Sequence, residues 1–119
     1  MHPLVKKKCS PCAVGTLPLK AETLQPYAQE LAQGWKVVDE HHLEKKYRFK
    51  NFKEAWDFTN DVAKIAEEEG HHPNIQLAWG EVVVTTWTHK INGLSESDFI
   101  LAAKCEAAYT SRFGVSSPK

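Results

Sequence analysis

No apolar run in this 119-residue chain approaches the length a membrane-spanning helix needs, so membrane residence is not expected. An excess of one charge is missing too: fifteen basic residues balance fifteen acidic ones. Net charge near zero gives nucleic acid or an anionic membrane no overall electrostatic hold, and neither is expected as a partner. Cysteine is scarce. Cys9, Cys12 and Cys105 cannot all pair, and three is too few for a disulfide scaffold, so a reducing, cytoplasmic setting is expected. Beside Lys6, Lys7 and Lys8 the only apolar stretch is Leu4-Val5, too short for a signal peptide's hydrophobic region. The first forty residues contain no arginine and little serine, which argues against an organelle transit peptide.

What is present suits one soluble domain with a real core: 42% of residues are apolar and 25% charged. Histidine is the oddity. Four of the six histidines form the pairs His41-His42 and His71-His72. Imidazole is the side chain best placed to exchange protons near neutral pH.

Residues 1–19 read as an extended, flexible leader, since prolines and absent periodicity argue against regular structure. Residues 20–112 read as the domain and 113–119 as a polar tail. A short helix is expected over 22–31, where Leu24, Tyr27, Ala28 and Leu31 repeat at three and four. Pro26 is tolerable there only in the first turn, and Gly34 marks the stop. Two strands follow, 35–38 and 43–49, joined by the polar turn 39–42. Leu43, Tyr47, Phe49 and the stem of Lys45 share the second strand's inner face.

The clearest helix spans 52–69. Asn51 with Glu54 is a capping-box signature, Gly70 a stop, and the expected stripe is Phe52, Ala55, Trp56, Thr59, Val62, Ala63 and Ala66. Segments 74–79 and 81–89 read as strands turning at Gly80, with Asn92-Gly93 a further turn. Ser95 and Asp98 look like an N-terminal cap, Leu94 can staple onto Phe99, and the last helix is expected to end near Tyr109. The order α-β-β-α-β-β-α predicts an α+β fold: a four-stranded antiparallel sheet with three helices packed on one face.

Gly70 and Pro73 bracket a sharp exit from the long helix, placing His71 and His72 at its C-terminus. There the dipole and three glutamates favour protonated imidazoles. A plain polar helix end with exposed histidines has the same pattern, so position alone does not choose. His89 ends the fourth strand on the side of Val83, Thr85 and Trp87. The 74–89 hairpin begins directly after His72, so topology is expected to return His89 to the same sheet edge.

These residues carry a resemblance. Glu67-x3-His71-His72-Pro73, Trp79, His89 and Gly93-Leu94-Ser95-x-x-Asp98 together resemble the pterin-4a-carbinolamine dehydratase family. Gly34-Trp35, Tyr47-x-Phe49 with Phe52, and the helix from Ala55 to Ala66 extend the match over about 20–110. The Cys9-x-x-Cys12 leader, followed by Gly15 and Pro18-Leu19, lies outside the shared core but is similar to some microbial members.

The resemblance implies loss of water from a 4a-hydroxytetrahydropterin to give a quinonoid dihydropterin, recycling the cofactor of aromatic amino-acid hydroxylases. Carried over residue by residue, it makes His71, His72 and His89 the acid/base and substrate-orienting groups. Glu67, on the same helical face as His71, would raise or orient an imidazole. Backbone groups of 71–73 and 88–91, hence Pro73, Thr88, Lys90 and Ile91, would hold the pterin, and Trp35 would wall its pocket. Which histidine donates and which accepts stays open. Asp98 belongs to the motif, yet its cap position alone gives it a sufficient structural reason. Trp56, Trp79 and Trp87 are expected in the core or an interface, and His41-His42 in a solvated turn.

No cofactor and no metal are expected. A structural zinc wants four ligands with paired spacing, and the leader offers a single Cys-x-x-Cys. The expected partners are the pterin substrate and other copies of the chain, as a homodimer or homotetramer, because a small open sheet leaves edges to cover. The rival reading is a non-enzymatic interaction or transcriptional coactivator module of the same fold; the resemblance extends to animal relatives that also serve as a dimerization cofactor for a homeodomain transcription factor.

Overall fold

Helix α2 (Phe52–Glu69) shows most directly how local chemistry sets the architecture. Asn51 is extended, and its side chain accepts the Glu54 N–H at 2.9 Å, satisfying one of the free donors of the first turn. The Glu54 carboxylate reaches back to the Lys50 N–H at 3.3 Å, one residue before the position a capping box would use. At the other end Gly70 adopts φ +66°, and the His71 N–H closes onto Ala66 O at 3.2 Å. That six-to-one bond ends the helix and fixes where His71 begins.

The computed structural model describes Leu4 and residues 17–31 and 34–113. Before α2 come α1 (Ala21–Glu30), β1 (Lys36–Val38) and β2 (His42–Arg48); after it come β3 (Asn74–Ala78), β4 (Glu81–Thr86), a 3₁₀ turn at His89–Ile91 and α3 (Glu96–Phe113). The four strands form one antiparallel sheet in the order β1-β2-β4-β3. The fold class and helix order expected from the sequence are present.

Alternation decides the faces. Leu43, Lys45 and Tyr47 of β2 and Val82, Val84 and Thr86 of β4 are buried toward the helices. Glu44, Lys46, Arg48, Gln76 and Val83 line the opposite, uncovered face. One apolar cluster joins Tyr47, Val82 and Val84 to Ala55, Phe58 and Val62 of α2 and Leu101 and Cys105 of α3. A second joins Leu24 of α1, Leu43, Leu94, Phe99 and Ile100, with Leu4 also inside it. Lys45 is buried without being stranded: Glu106 of α3 meets its ammonium at 2.8 Å and accepts the Tyr47 hydroxyl at 2.9 Å.

Several expectations shift by a residue or a face. Pro26 is the sixth residue of α1, not part of its first turn, so that helix lacks an internal hydrogen bond and stays short. On α2 the buried stripe is Ala55, Phe58, Val62 and Ala66; Phe52 and Trp56 face outward at 42% and 50% exposure, as does Ala63. Packing against α3 rotates the stripe away from those aromatics. Trp79 lies in the β3–β4 turn, exposed, and α3 runs on to Phe113. Arg112 holds that extra turn through a bidentate pair with Asp61 of α2 at 2.7 and 2.9 Å. Pro18 and Leu19, counted with the leader, are packed: Leu19 N–H donates to Leu94 O at 2.8 Å, and a side chain at Gly93 would collide with Pro18. Residues 5–16, with Cys9 and Cys12, and residues 114–119 lie outside the described residues.

Candidate active site

The sheet register creates a corner where the chemistry collects. Asn74 of β3 lies opposite Thr85 of β4, so residues 71–73 entering β3 and residues 86–89 leaving β4 share one end of the sheet. The N-terminus of α3 arrives at the same place and brings Asp98.

Asp98 is fully buried. Its Oδ1 accepts the Thr86 hydroxyl at 2.7 Å and meets His71 Nε2 at 2.6 Å. Its Oδ2 accepts the Thr88 hydroxyl at 2.8 Å and the Ser95 N–H at 3.0 Å. These four bonds use the carboxylate's ordinary acceptor capacity. Because Thr88 spends its proton on Asp98, Ser95 Oγ is the donor in the 2.8 Å Ser95–Thr88 bond. Asp98 therefore closes the cap of α3 and anchors an imidazole with one side chain.

That anchoring fixes the His71 tautomer. A saturated carboxylate accepts from Nε2, so Nε2 carries hydrogen and Nδ1 is left outside that contact. The ring is largely buried, at 14% exposure, which keeps its orientation.

His72 goes the other way. The left-handed turn at Gly70 sends His71 inward to α3 and His72 back over α2, where its Nε2 meets Glu67 Oε2 at 2.7 Å. The sequence spacing points Glu67 at His71; the structure pairs Glu67 with His72, because the chain has already left helical geometry. Both side chains of this pair are mostly exposed, so the link adds little rigidity.

His89 opens the 3₁₀ turn rather than ending a strand, since β4 stops at Thr86. Thr88 ties it to the corner: its hydroxyl lies on Asp98, and its N–H donates to Gly93 O at 2.8 Å, closing the loop. The imidazole is exposed and lies flat on Trp87, with centroids 4.5 Å apart and planes 5° from parallel. Lys90 is exposed and Ile91 half-buried in the same turn, while Pro73 is half-buried beside His72.

Trp35 is not brought to this corner. It precedes β1 at the end away from Val38 and His42, edge-on to Tyr47 at 6.2 Å and packed on both apolar clusters. Thr86 and Trp87 are the contributors that sequence reading missed. Thr86-x-Thr88 on one strand face, aimed at a buried acid, was the signal for the first. Among the described residues no group of three or more His, Cys, Asp or Glu side chains is arranged to hold a metal ion. No helix among them is long and apolar enough to cross a membrane.

The family model for pterin 4 alpha carbinolamine dehydratase matches residues 17–108. The chain belongs to that family. A protein of Alkaliphilus metalliredigens provisionally named as such a dehydratase is 52% identical over 106 residues, 89% of this chain and 96% of its own. One of Rubrobacter xylanophilus with the same provisional name is 53% identical, covering 89% and 98%. The crystal structure of a transcriptional coactivator/pterin dehydratase from Brucella melitensis superposes with TM-score 0.70 at 33% identity, covering 76% of this chain and 96% of that one. The pterin-dehydratase match contains His71, His72, His89 and Asp98, and it leaves out Cys9 and Cys12.

Proposed function

We propose that this protein is a hydro-lyase that dehydrates a 4a-hydroxytetrahydropterin, such as 4a-hydroxytetrahydrobiopterin, to the quinonoid dihydropterin. In this reaction the C4a–O bond breaks, a proton joins the departing hydroxyl to make water, and N5 loses its proton as the N5–C4a double bond forms. The N5 lone pair expels the hydroxyl, so the protein need supply only proton transfer and orientation, a task suited to imidazoles. The observation that carries this reading is His71, locked on a saturated buried carboxylate with Nδ1 left to exchange a proton. His72 and His89 are the further acid/base and orienting groups, with Glu67 as partner of His72. Backbone groups of 71–73 and 88–91 receive the pterin, Pro73, Thr88, Lys90 and Ile91 among them.

The role is recycling the pterin cofactor of aromatic amino-acid hydroxylases in the cytoplasm, by a homodimer or homotetramer. The test is steady-state dehydration of a synthetic 4a-hydroxytetrahydropterin. His71→Ala is expected to lower kcat by about 10²- to 10⁴-fold, the usual worth of a positioned general acid or base. A rate within twofold of wild type in that variant would remove His71 from the mechanism.

A protein-interaction role draws support from the coactivator/dehydratase relative and from Phe52 and Trp56, exposed side by side on α2. Such a surface is compatible with catalysis at the far corner. A chain that interacts but does not catalyse would fail the dehydration assay.

A further inference from the structure

Four aromatic or imidazole side chains gather around the proposed catalytic turn, and acid/base chemistry uses only one of them. His41 follows the β1–β2 turn, where Asp39 and Glu40 both take φ +54° and the His41 N–H closes onto Val38 O at 2.8 Å. Pairing resumes at Val38 opposite His42, so His41 is an extra residue, a bulge that re-aims its ring. His41 Nε2 lies 2.9 Å from Asn92 Oδ1. An amide oxygen only accepts, so Nε2 carries the hydrogen; with His41 neutral, its Nδ1 accepts from His42 Nδ1 at 3.1 Å. The His41 ring also meets Trp87 at 5.2 Å, and the His42 ring meets it at 6.0 Å.

The turn that carries His89 is thus held at both ends by His41. At its start, His41 backs Trp87, on which His89 is stacked; at its end, His41 holds Asn92, whose φ of +51° ends the turn. Among the described residues the His89 ring has this stack and no hydrogen bond, so its plane rests on Trp87. None of these side chains belongs to the two apolar clusters.

We infer that His41 and Trp87, with Asn92, are positioning residues that set the height and plane of the His89 imidazole for the dehydration. This rests on the acid/base reading of His89. It makes His41-His42 part of the site's support and not a solvated turn.

The experiment measures kcat and KM for dehydration in His41→Ala, Asn92→Gly, Trp87→Leu and Trp87→Phe, beside His89→Ala. Asn92→Gly removes the acceptor while keeping a backbone glycine adopts freely, so it folds even if a core variant does not. Expected are falls in kcat of about 10-fold for His41→Ala and Asn92→Gly, and up to about 100-fold for Trp87→Leu, the scale of small misplacements. KM should stay within about twofold and Trp87→Phe should restore most of the rate, because a flat ring still supports the stack. The NMR shifts of the His89 ring protons, moved by the Trp87 ring current, should change in His41→Ala as well as in Trp87→Leu. Wild-type kcat in His41→Ala and Asn92→Gly, with His89→Ala inactive, overturns the positioning role alone. Loss of rate only in proportion to loss of folded protein overturns it too. An active His89→Ala overturns both this inference and the role of His89 beneath it.

Discussion

Asp98 joins a structural cap to the proposed chemistry through one side chain. Its four bonds satisfy the α3 cap, two threonine hydroxyls and His71. Asp98→Asn places an amide, with donors, where acceptors are needed, and it frees the His71 tautomer. Stability should fall by about 1–3 kcal/mol, the cost of buried groups left unpaired, which urea unfolding would read. The rate should fall by about 100-fold or more, since an imidazole held in the wrong tautomer cannot exchange at the required nitrogen. A stability loss with an intact rate would reduce Asp98 to a cap. That distinction was not legible in the sequence. Ser95-x-x-Asp98 reads as a capping pair, which it is, but its link to His71 spans 27 positions and exists only after the sheet and α3 have packed.

At the scale of elements, the α2 terminus and the β2–α3 contact carry the testable consequences. Gly70→Ala meets no neighbour, yet its φ of +66° costs an L-residue about 1–2 kcal/mol. The loss should appear in urea unfolding, with a fall in kcat as well, because that turn sets where His71 points. Between β2 and α3, burial first and the Glu106 carboxylate second push the Tyr47 phenol well above its ordinary range. A raised folded-state pKa means the stabilisation is complete below the unfolded value, about 10, and is lost as pH climbs beyond it. Stability should therefore decline above about pH 10 in wild type, with less decline in Tyr47→Phe, and tyrosinate absorbance from Tyr47 should appear only with unfolding. Element boundaries were largely readable because α2 carries its own start and stop signals. The α2 stripe was misassigned since Phe52 and Trp56 fit helical spacing equally well, and only the place of α3 decides which face is covered.

For the whole molecule, topology does what no single motif could. A hairpin beginning at Asn74, returning through Thr86 and closing at Gly93 carries His89 to the corner where α2 ends and α3 starts. The pairs at 71–72 and the return of His89 were visible as pattern and topology; the pairing of Glu67 with His72, and the distance of Trp35 from the corner, were not. Cys9 and Cys12 fall outside the matched family region, and the proposed mechanism gives them no part. A Cys9→Ser/Cys12→Ser double variant dialysed against chelator should keep wild-type dehydration. The most direct test of the acid/base corner is the dehydration rate of the His71→Ala/His89→Ala double variant at matched folded fraction. The expected result is a fall of about 10³-fold or more; a rate equal to wild type would contradict it.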